Sequence, residues 1–283
     1  MQLLNGKKLA DGIRAQIRID IQKSGITPGL AVLLVGNDPA SHLYVSLKEK
    51  AAKEVGVHFE KYLFFATTPE VELTRKIMEL NKRTNIHGIL VQVPLPDPLS
   101  EDLLIAAIDP KKDADGFHPK NIEALLAGRP LGEPRHMAGT PTIVPSVIRG
   151  ILALIEATRI PLAGKQATIL ANSSVFAAPL EKLLTHRGMN VQTLIGHVSD
   201  VGCQVSDVLI TAIGKPHFLT AQMIKKDAII IDVGTSSLED GKIVGDAHPN
   251  VVEKASWLTP VPGGVGPMTV AYLLRNVVDA TIL

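Results

Sequence analysis

The sequence predicts an α/β protein of two domains. Its 283 residues suit two domains of ordinary size. Short β-rich apolar runs alternate with longer amphipathic stretches, an order that builds a mostly parallel sheet. A Pro- and Gly-rich crossing at residues 128–145 interrupts this alternation, and the pattern then restarts. We therefore expect an N-terminal α/β domain and a Rossmann-like nucleotide-binding domain, with a cleft between them.

Hydrophobic periodicity and turn residues locate the individual elements. In the first half we predict strands at 30–35, 57–65 and 86–93, and helices at 41–55 and 71–81. In the second half we predict helices at 146–157, 175–187 and 269–283, and strands at 166–170, 191–195, 208–212 and 228–233. The second set has the order of a small doubly wound nucleotide-binding domain.

Composition excludes several classes of protein. Hydrophobic residues make up 46% of the chain and charged residues 20%, so a sizeable core can form. The net charge is +1, aromatics are 4%, and no basic stripe is present, which argues against a nucleic-acid partner. The single cysteine, Cys203, rules out an intrachain disulfide and a cysteine-based metal site. With no signal peptide and no apolar run of membrane-spanning length, we expect a cytoplasmic protein without membrane association.

Tyr44 and Lys48 form the first candidate pair for chemistry. They are four residues apart on a predicted helix, so both lie on one face. A lysine in a partly apolar pocket can lose its proton near neutral pH and act as a base. The alternative is an ordinary solvated lysine on a helix surface.

Gln92 ends the apolar run 89–91, at the carboxyl edge of a predicted parallel strand. Ligands bind at that edge of open α/β sheets, so an amide there is a candidate contact. The alternative is a glutamine bonded to backbone.

Residues 112–119, Lys-Asp-Ala-Asp-Gly-Phe-His-Pro, place two carboxylates and a histidine before a turn. A metal site is one interpretation, but the later ligands of a calcium loop are missing. A lone loop histidine is more often not a ligand, because a metal site needs several.

Residues 259–269 form the most distinctive stretch, Thr-Pro-Val-Pro-Gly-Gly-Val-Gly-Pro-Met-Thr. Its prolines and glycines give a rigid loop, poor in side chains, whose backbone can approach a ligand closely before a helix begins. It is not a G-x-G-x-x-G fingerprint, and none occurs in the chain. The alternative is a tight linker.

Together these motifs resemble those of the methylenetetrahydrofolate dehydrogenase/cyclohydrolases. The matching segments, in the family's order and spacing, are 44–48, 90–96, 112–119 and 260–269. The resemblance covers nearly the whole chain. It implies a folate-binding catalytic domain at 1–144, completed by the C-terminal helix 265–283, and a Rossmann-like domain at 145–264.

The resemblance also implies a reaction. Members of this family oxidise methylenetetrahydrofolate to methenyltetrahydrofolate with NADP, or NAD in some members, and hydrolyse the product to formyltetrahydrofolate. Neither step requires a metal. The implied ligands are tetrahydrofolate derivatives and NADP or NAD, and the implied assembly is a homodimer.

Specific residues follow from the resemblance. Lys48 would transfer protons during hydrolysis, Tyr44 would position Lys48 and stack on the folate, and Gln92 would tune Lys48 by hydrogen bonding. Asp115 would bind the amino edge of the pterin. The implied catalytic set is Lys48, Tyr44, Gln92 and Asp115, and the implied substrate-binding set is Tyr44, Lys48, Gln92, Pro94, Asp115, Pro262, Gly263 and Gly264.

The dinucleotide half departs from the family. The implied cofactor-binding residues are Ala171, Asn172, Ser173, Thr235 and Thr269. The family usually carries Gly-Arg-Ser…Val-Gly-x-Pro, but Ala171, Asn172 and Ala177 replace its first glycine, its arginine and its later glycine. Losing the arginine removes a phosphate partner, and each alanine adds a Cβ where backbone approaches the dinucleotide. We therefore expect NADP to bind weakly, or its site to be lost.

Other departures lie nearby. The family's Pro-Cys-Thr-Pro-x-Gly appears at 145–150 as Pro-Ser-Val-Ile-Arg-Gly. Residues 197–200, His-Val-Ser-Asp, stand near the place of the His-Ser-x-Thr loop, and Gly-Thr-Ser at 234–236 replaces Gly-Ile-Asn.

Two further interpretations remain beside the bifunctional enzyme. One is a cyclohydrolase with an eroded dinucleotide site, and the other is a regulatory protein that binds folate without turnover. Because a mere binder needs no base, Lys48, Tyr44 and Gln92 favour an enzyme.

Overall fold

The structure, a computed structural model, describes residues 1–128, 143–196 and 203–281. It divides into two compact units. The first unit comprises Asp11–Ser146 and Val270–Leu283, and the second comprises Met1–Ala10 and Val147–Thr269. Most of the predicted crossing at 128–145, the segment 197–200 and the last two residues of the predicted C-terminal helix lie outside the described residues.

Helices and strands alternate through both units. The helices are α1 (Gly6–Ser24), α2 (Pro39–Val55), α3 (Glu70–Lys82), α4 (Glu101–Ala106), α5 (Pro119–Leu126), α6 (Ser146–Ala157), α7 (Ser174–His186) and α8 (Val265–Thr281). The strands are β1 (Gln2–Leu3), β2 (Gly29–Val35), β3 (His58–Phe64), β4 (Gly88–Val91), β5 (Gln166–Ala171), β6 (Asn190–Ile195), β7 (Val208–Ala212), β8 (Ile229–Asp232), β9 (Ser236–Ser237), β10 (Ile243–Val244) and β11 (Trp257–Leu258).

A parallel three-stranded sheet organises the first unit, in the order β3-β2-β4. The central strand β2 is buried along its whole length. Its side chains alternate between two cores, because successive residues of a strand point to opposite faces. Leu30, Val32 and Leu34 pack with α1, α2 and α8, whereas Ala31, Leu33 and Val35 pack with α3 and α4.

A second parallel sheet organises the other unit, in the order β1-β11-β8-β7-β5-β6. Strands β7 and β8 are almost entirely buried, as expected for parallel strands covered on both faces. Both units therefore have the α/β architecture that the sequence predicts.

The start of the chain differs from the sequence prediction. Residues 1–144 were assigned to one domain, but β1 pairs with β11 of the second unit's sheet, and Met1–Ala10 group with that unit. Backbone hydrogen bonds between β1 and β11 are the reason for this grouping, because the N–H groups of Gln2 and Leu4 donate to the carbonyl oxygens of Ser256 and Leu258.

Helix α1 is absent from the sequence prediction. Its signal is the row Ile13, Ile17 and Ile21, spaced by four residues, which supplies the buried side of the helix. Strand β4 is shorter than the predicted 86–93 and ends at Val91. Pro94 has no N–H group, so the ladder cannot continue through it.

Lys112 closes the C-terminal end of α3. Its Nζ donates to the carbonyl oxygens of Leu80 (3.3 Å), Asn81 (2.9 Å) and Arg83 (2.6 Å). The last carbonyls of a helix have no partner within it, so a cation there stabilises the helix end. This contact ties the segment after residue 109 to α3.

We expect Lys112→Met to lower the free energy of unfolding by about 1.5–3 kcal/mol, the usual range for hydrogen bonds to a charged group. Lys111 is exposed and adjacent, and Lys111→Met should cost less than about 0.5 kcal/mol. Urea unfolding of both variants measures the difference. Equal stabilities would show that the three carbonyl contacts contribute nothing.

Candidate active site

Lys48 lies on the buried side of α2. The helix starts at an N-cap, Asp38, whose side chain accepts a hydrogen bond from the backbone N–H of Ser41 (2.8 Å), and it ends at Gly56 in the left-handed conformation. These two caps set where α2 begins and ends, and the positions of its apolar residues set its buried face. That face consists of Ser41, Val45, Lys48, Ala51, Ala52 and Val55, so Lys48 is its only charged member.

Gln92 accepts a hydrogen bond from the amine of Lys48. Lys48 Nζ donates to Gln92 Oε1 over 2.7 Å, and both residues are buried. The other end of the amide is also used, because Gln92 Nε2 donates to the carbonyl oxygen of Val93 (2.6 Å). This second bond fixes the orientation of the amide, so that its oxygen faces Lys48. The hydrogen bond between Gln92 and Lys48 that the family resemblance implies is therefore present.

The charge on Lys48 is disfavoured. Burial lowers the pKa of its ammonium, and the negative charge of Asp115 opposes that shift. An amine in such a place can release and accept a proton nearer neutral pH than a solvated lysine. Asp115 is therefore close enough to act electrostatically on Lys48.

A tight turn carries Asp115. The buried carboxylate of Asp113 accepts backbone hydrogen bonds from Gly116 (2.9 Å) and His118 (2.7 Å), and a side-chain bond from Asn121 (3.0 Å). Burial raises the pKa of Asp113. These bonds close the turn from within, so Asp113 is structural. The side chain of His118 caps the next helix, α5, by accepting from the backbone N–H of Lys120 (3.0 Å).

Ser146 bonds to the turn at Asp115 from a distant part of the chain. The hydroxyl of Ser146 donates to Asp115 Oδ1, and the backbone N–H of Ser146 donates to the carbonyl oxygen of Asp115 (2.8 Å). Gly116 has φ +91°, and a Cβ there would lie 2.7 Å from Pro145 Cα. The sequence analysis treated Ser146 only as a departure from the family motif.

Tyr44 and Pro94 flank the same part of the first unit. Tyr44 is half-buried, one helical turn before Lys48, and the spacing places both on one side of α2. Pro94 is exposed, two residues after Gln92. Within the predicted catalytic set, Lys48 and Gln92 are thus in hydrogen-bond contact and Asp115 acts on Lys48 through its charge, while Tyr44 and Pro94 lie nearby along the chain.

The glycine loop at 262–264 belongs to the second unit. Gly263 has φ +107°, and a Cβ on Gly264 would lie 2.6 Å from the carbonyl oxygen of Pro260. Pro262 is exposed. Both glycines are therefore required by backbone geometry, whatever else the loop contacts. The loop follows β11, so it lies at the carboxyl edge of the second sheet.

The predicted dinucleotide residues occupy the same edge. Ala171 ends β5 and is buried, Asn172 donates from Nδ2 to the carbonyl oxygen of Ile213 (2.6 Å), and Ser173 is the N-cap of α7. Thr235 is exposed and follows β8. Thr269 instead lies within α8, where its hydroxyl donates to the carbonyl oxygen of Val265 (3.2 Å).

This edge fits a dinucleotide in part. The first turn of α7 is exposed, so its backbone N–H groups can donate hydrogen bonds to a phosphate. Gly214 has φ +65° and open space where a Cβ would stand, which lets a ligand approach the backbone. Asn172 supplies no positive charge, and one of its two amide N–H groups already bonds to the carbonyl oxygen of Ile213.

Two buried aspartates support this edge, and the sequence analysis missed them. Asp246 accepts from Thr211 Oγ1, Ile213 N and Lys215 N, each at 2.8 Å. Asp232 accepts from the backbone N–H groups of residues 234, 246 and 247, at 3.0, 3.0 and 2.8 Å. The available signal was an aspartate at the end of a wholly apolar strand, directly before Val-Gly.

Burial raises the pKa of Asp232 to about 6, with the charge of Asp246 adding to the shift. Gly234 and Gly245 allow this packing, because a Cβ on either would overlap the carboxylate of Asp246 or Asp232. The pair therefore shapes the loops that follow β7 and β8.

In the part of the chain that the structure describes, no three His, Cys, Asp or Glu side chains are grouped so as to hold a metal ion. None of its helices is long and apolar enough to cross a bilayer.

Two family models match the chain. Residues 4–115 match the catalytic domain of tetrahydrofolate dehydrogenase/cyclohydrolase, and residues 145–282 match its NAD(P)-binding domain. Together they cover most of the sequence.

Individual relatives agree over their whole length. The bifunctional protein FolD of Moorella thermoacetica is 41% identical over 285 residues, covering 99% of this chain and 98% of the relative. The structure of the bifunctional FolD dehydrogenase/cyclohydrolase of Campylobacter jejuni has a TM-score of 0.91 and 38% identity, covering 100% and 99% of the two chains. The FolD of Trypanosoma brucei, complexed with NADP and an inhibitor, has a TM-score of 0.90 and 29% identity, covering 99% and 97%.

These matches favour the bifunctional enzyme over the two other interpretations of the sequence. They give no support to a cyclohydrolase without the dehydrogenase, or to a regulatory folate binder. The fold, the paired Lys48 and Gln92, and the full-length matches show that the chain belongs to the tetrahydrofolate dehydrogenase/cyclohydrolase family of one-carbon enzymes.

Proposed function

We propose that Lys48 is the proton-transfer group of the hydrolysis step. As a member of its family, the chain oxidises methylenetetrahydrofolate to methenyltetrahydrofolate with NADP or NAD, and hydrolyses the product to formyltetrahydrofolate. The observation that carries the residue assignment is the buried hydrogen bond from Lys48 Nζ to Gln92 Oε1, at 2.7 Å.

Burial supplies the chemistry at Lys48. Because its pKa is lowered, a neutral amine can accept a proton from the water whose oxygen bonds to the cationic methenyl carbon. Lys48 can then return this proton to the ring nitrogen as the bond between that nitrogen and the carbon breaks. The proton of the added hydroxyl group leaves to solvent as the carbonyl forms, which leaves the formyl group on the other nitrogen. Gln92 positions the amine through its fixed amide oxygen.

Asp115 binds the substrate in this proposal. Its turn is held by Asp113 and Ser146, so the carboxylate is in place before the ligand arrives. Amino and N–H groups at the edge of a pterin are donors that a carboxylate can accept in pairs. Tyr44 stacks on the folate, and Pro94, Pro262, Gly263 and Gly264 are the remaining proposed substrate contacts.

The second unit binds the dinucleotide, which supplies the hydride acceptor when bound. We assign Ala171, Asn172 and Ser173, at the end of β5 and the start of α7, to its phosphates and ribose. Thr235 and Thr269 are the other proposed contacts. The Trypanosoma brucei relative holds NADP in its structure, which supports NADP as one ligand of this fold. As functional domains we propose 1–144 with 265–283, and 145–264, with Met1–Ala10 adding strand β1 to the sheet of the second unit.

We also propose a homodimer in the cytoplasm. Strand β3 is an edge of the first sheet, and Leu63 and Phe65 near its end are 61% and 81% exposed. An edge strand with exposed apolar side chains favours pairing with another chain. The single cysteine fits a reducing compartment.

Replacing Lys48 tests the central assignment. Lys48→Met should reduce methenyltetrahydrofolate hydrolysis about a hundredfold or more, because an acid–base group is lost. Lys50 is exposed on the same helix, so Lys50→Met is the matched control and should hydrolyse normally. The decay of methenyl absorbance measures both. A folded Lys48→Met protein with wild-type hydrolysis would remove Lys48 from the mechanism.

Replacing Asp115 tests substrate binding. Asp115→Ala leaves pterin donors unpaired and should weaken folate binding by about 1.5–3 kcal/mol. Asp102 is an exposed aspartate in the first turn of α4, and Asp102→Ala should bind folate normally. Titration calorimetry compares the three proteins. Equal affinities for wild type and Asp115→Ala would reject the role.

Cofactor preference is testable at Asn172. We expect weak NADP binding in the wild type, because no arginine stands at this position and its amide donor bonds to Ile213. Asn172→Arg restores the family residue and should tighten NADP binding about tenfold or more, with little change for NAD, which lacks the extra phosphate. Asn172→Ala is the uncharged control.

The measurement is the rate at which reduced nicotinamide forms from methylenetetrahydrofolate with each cofactor. The alternative to a weakened NADP site is that Lys165, Lys215 or Arg149 supplies the positive charge for the phosphate in place of the missing arginine. Robust wild-type turnover with NADP at a micromolar Michaelis constant, unchanged in Asn172→Arg, would show that the missing arginine is fully compensated.

A further inference from the structure

Ser146 makes a contact whose purpose is not explained by folding alone. It is the first residue of α6 and is completely buried. Its hydroxyl donates to Asp115 Oδ1, although its backbone N–H already ties the two segments together through the carbonyl oxygen of Asp115 (2.8 Å). The hydroxyl therefore adds control of the carboxylate rather than of the backbone.

The backbone around Asp115 is independently fixed. Gly116 packs directly against the backbone of residues 144 and 145, with φ +91°. Asp113 accepts the N–H groups of Gly116 and His118 from the other side. What remains free is the rotation of the Asp115 side chain, and Ser146 is its hydrogen-bond partner within the described residues.

A competing partner is available to that carboxylate. Asp115 acts electrostatically on Lys48, yet the two groups do not form an ion pair within 4.0 Å in the described structure. Lys48 Nζ donates to Gln92 instead. A carboxylate free to rotate beside a buried ammonium gains energy by pairing with it, because their attraction is strong away from water.

We propose that the Ser146 hydroxyl holds the Asp115 carboxylate away from Lys48, which keeps Oδ2 available to the substrate and leaves the amine unpaired. Ser146 is thus a positioning residue that acts through Asp115. The inference rests on the roles proposed above for Lys48 and Asp115. Oδ1 is engaged by the hydroxyl, so one carboxylate oxygen is committed before the substrate binds.

Few charges are involved in this balance. Within the described residues, Asp115 on its turn is the group whose charge acts on Lys48, and Gln92 at the end of β4 is neutral. Asp113 is the other carboxylate of the turn, and its own bonds are internal to that turn. A change in the pH dependence of Lys48 therefore reports chiefly on the position of Asp115.

Ser146→Ala is the direct test. Without the hydroxyl, Asp115 pairs with Lys48, and an opposite charge in contact favours the protonated amine. The pKa of Lys48 then rises, so the neutral base forms at higher pH. We expect the rise of the hydrolysis rate with pH to shift upward by about one pH unit. The KM for methenyltetrahydrofolate should increase about tenfold, with kcat at the new optimum largely kept.

Two further variants separate this role from stability. Ser146→Cys keeps the size of the side chain but donates weakly, so it should shift the profile in the same direction by a smaller amount. In an Asp115→Asn background, Ser146→Ala should leave the pH profile unchanged, because no charge remains to move. Thermal unfolding of all variants tests whether each is folded.

The outcomes divide clearly. No shift in folded Ser146→Ala, a shift to lower pH, or an equal shift in the Asp115→Asn background each overturns the inference. If Ser146→Ala does not fold, the Ser146→Cys protein decides the case by the same pH profile. Folate affinity of Asp115→Asn alone tests the proposed role of Asp115. A loss of that affinity, combined with an unshifted Ser146→Ala profile, rejects the inference and leaves the proposed function standing.

Discussion

Placing an amine inside an apolar helix face is the constraint on which the first unit depends. An unpartnered buried cation is costly, so the Lys48 amine must have an acceptor, and the site provides the fixed amide oxygen of Gln92. A direct ion pair with a carboxylate would also stabilise the Lys48 ammonium, but it would favour the protonated amine and so oppose its action as a base. The site instead uses a neutral acceptor in contact and a carboxylate at a distance. This arrangement requires Asp115 to be held, which explains the number of bonds spent on a turn of four residues.

The second unit solves a related problem with negative charge. Asp232 and Asp246 are buried at the carboxyl edge of the sheet, and each is surrounded by N–H or hydroxyl donors from the loops that follow β7 and β8. The carboxylates need these donors because they are away from water, and the loops need the carboxylates because their N–H groups have no ladder partner. Asp232 and Asp246 thus hold in place the loops at the sheet edge that carries the proposed dinucleotide residues. In the first unit the buried charge belongs to Lys48, the proposed proton-transfer group, whereas here the buried carboxylates hold loops in place.

Much of the fold was predictable from sequence, and the reasons are local. The apolar run of β2 and the cap and glycine of α2 specify those elements without any distant contact. The candidate roles of Lys48, Gln92 and Asp115 are predictions from motifs in which neighbouring residues carry the signal. The bond between Ser146 and Asp115 joins residues 31 apart, and that between Asp232 and Asp246 joins residues 14 apart. No periodicity links such positions. Pairing of β1 with β11 was missed for the same reason, because it joins the two ends of the chain.

The capping of α3 by Lys112 has a consequence for how this segment can change. Lys112 bonds to the end of α3, Asp113 bonds within its own turn, and Asp115 bonds to Ser146. Three of the four consecutive residues 112–115 therefore attach to three different parts of the first unit. Substituting one of these residues removes one attachment. Inserting or deleting a residue between them would misalign the remaining attachments together, since each depends on the spacing to the next. The segment should therefore accept changes of residue type far more readily than any change of length.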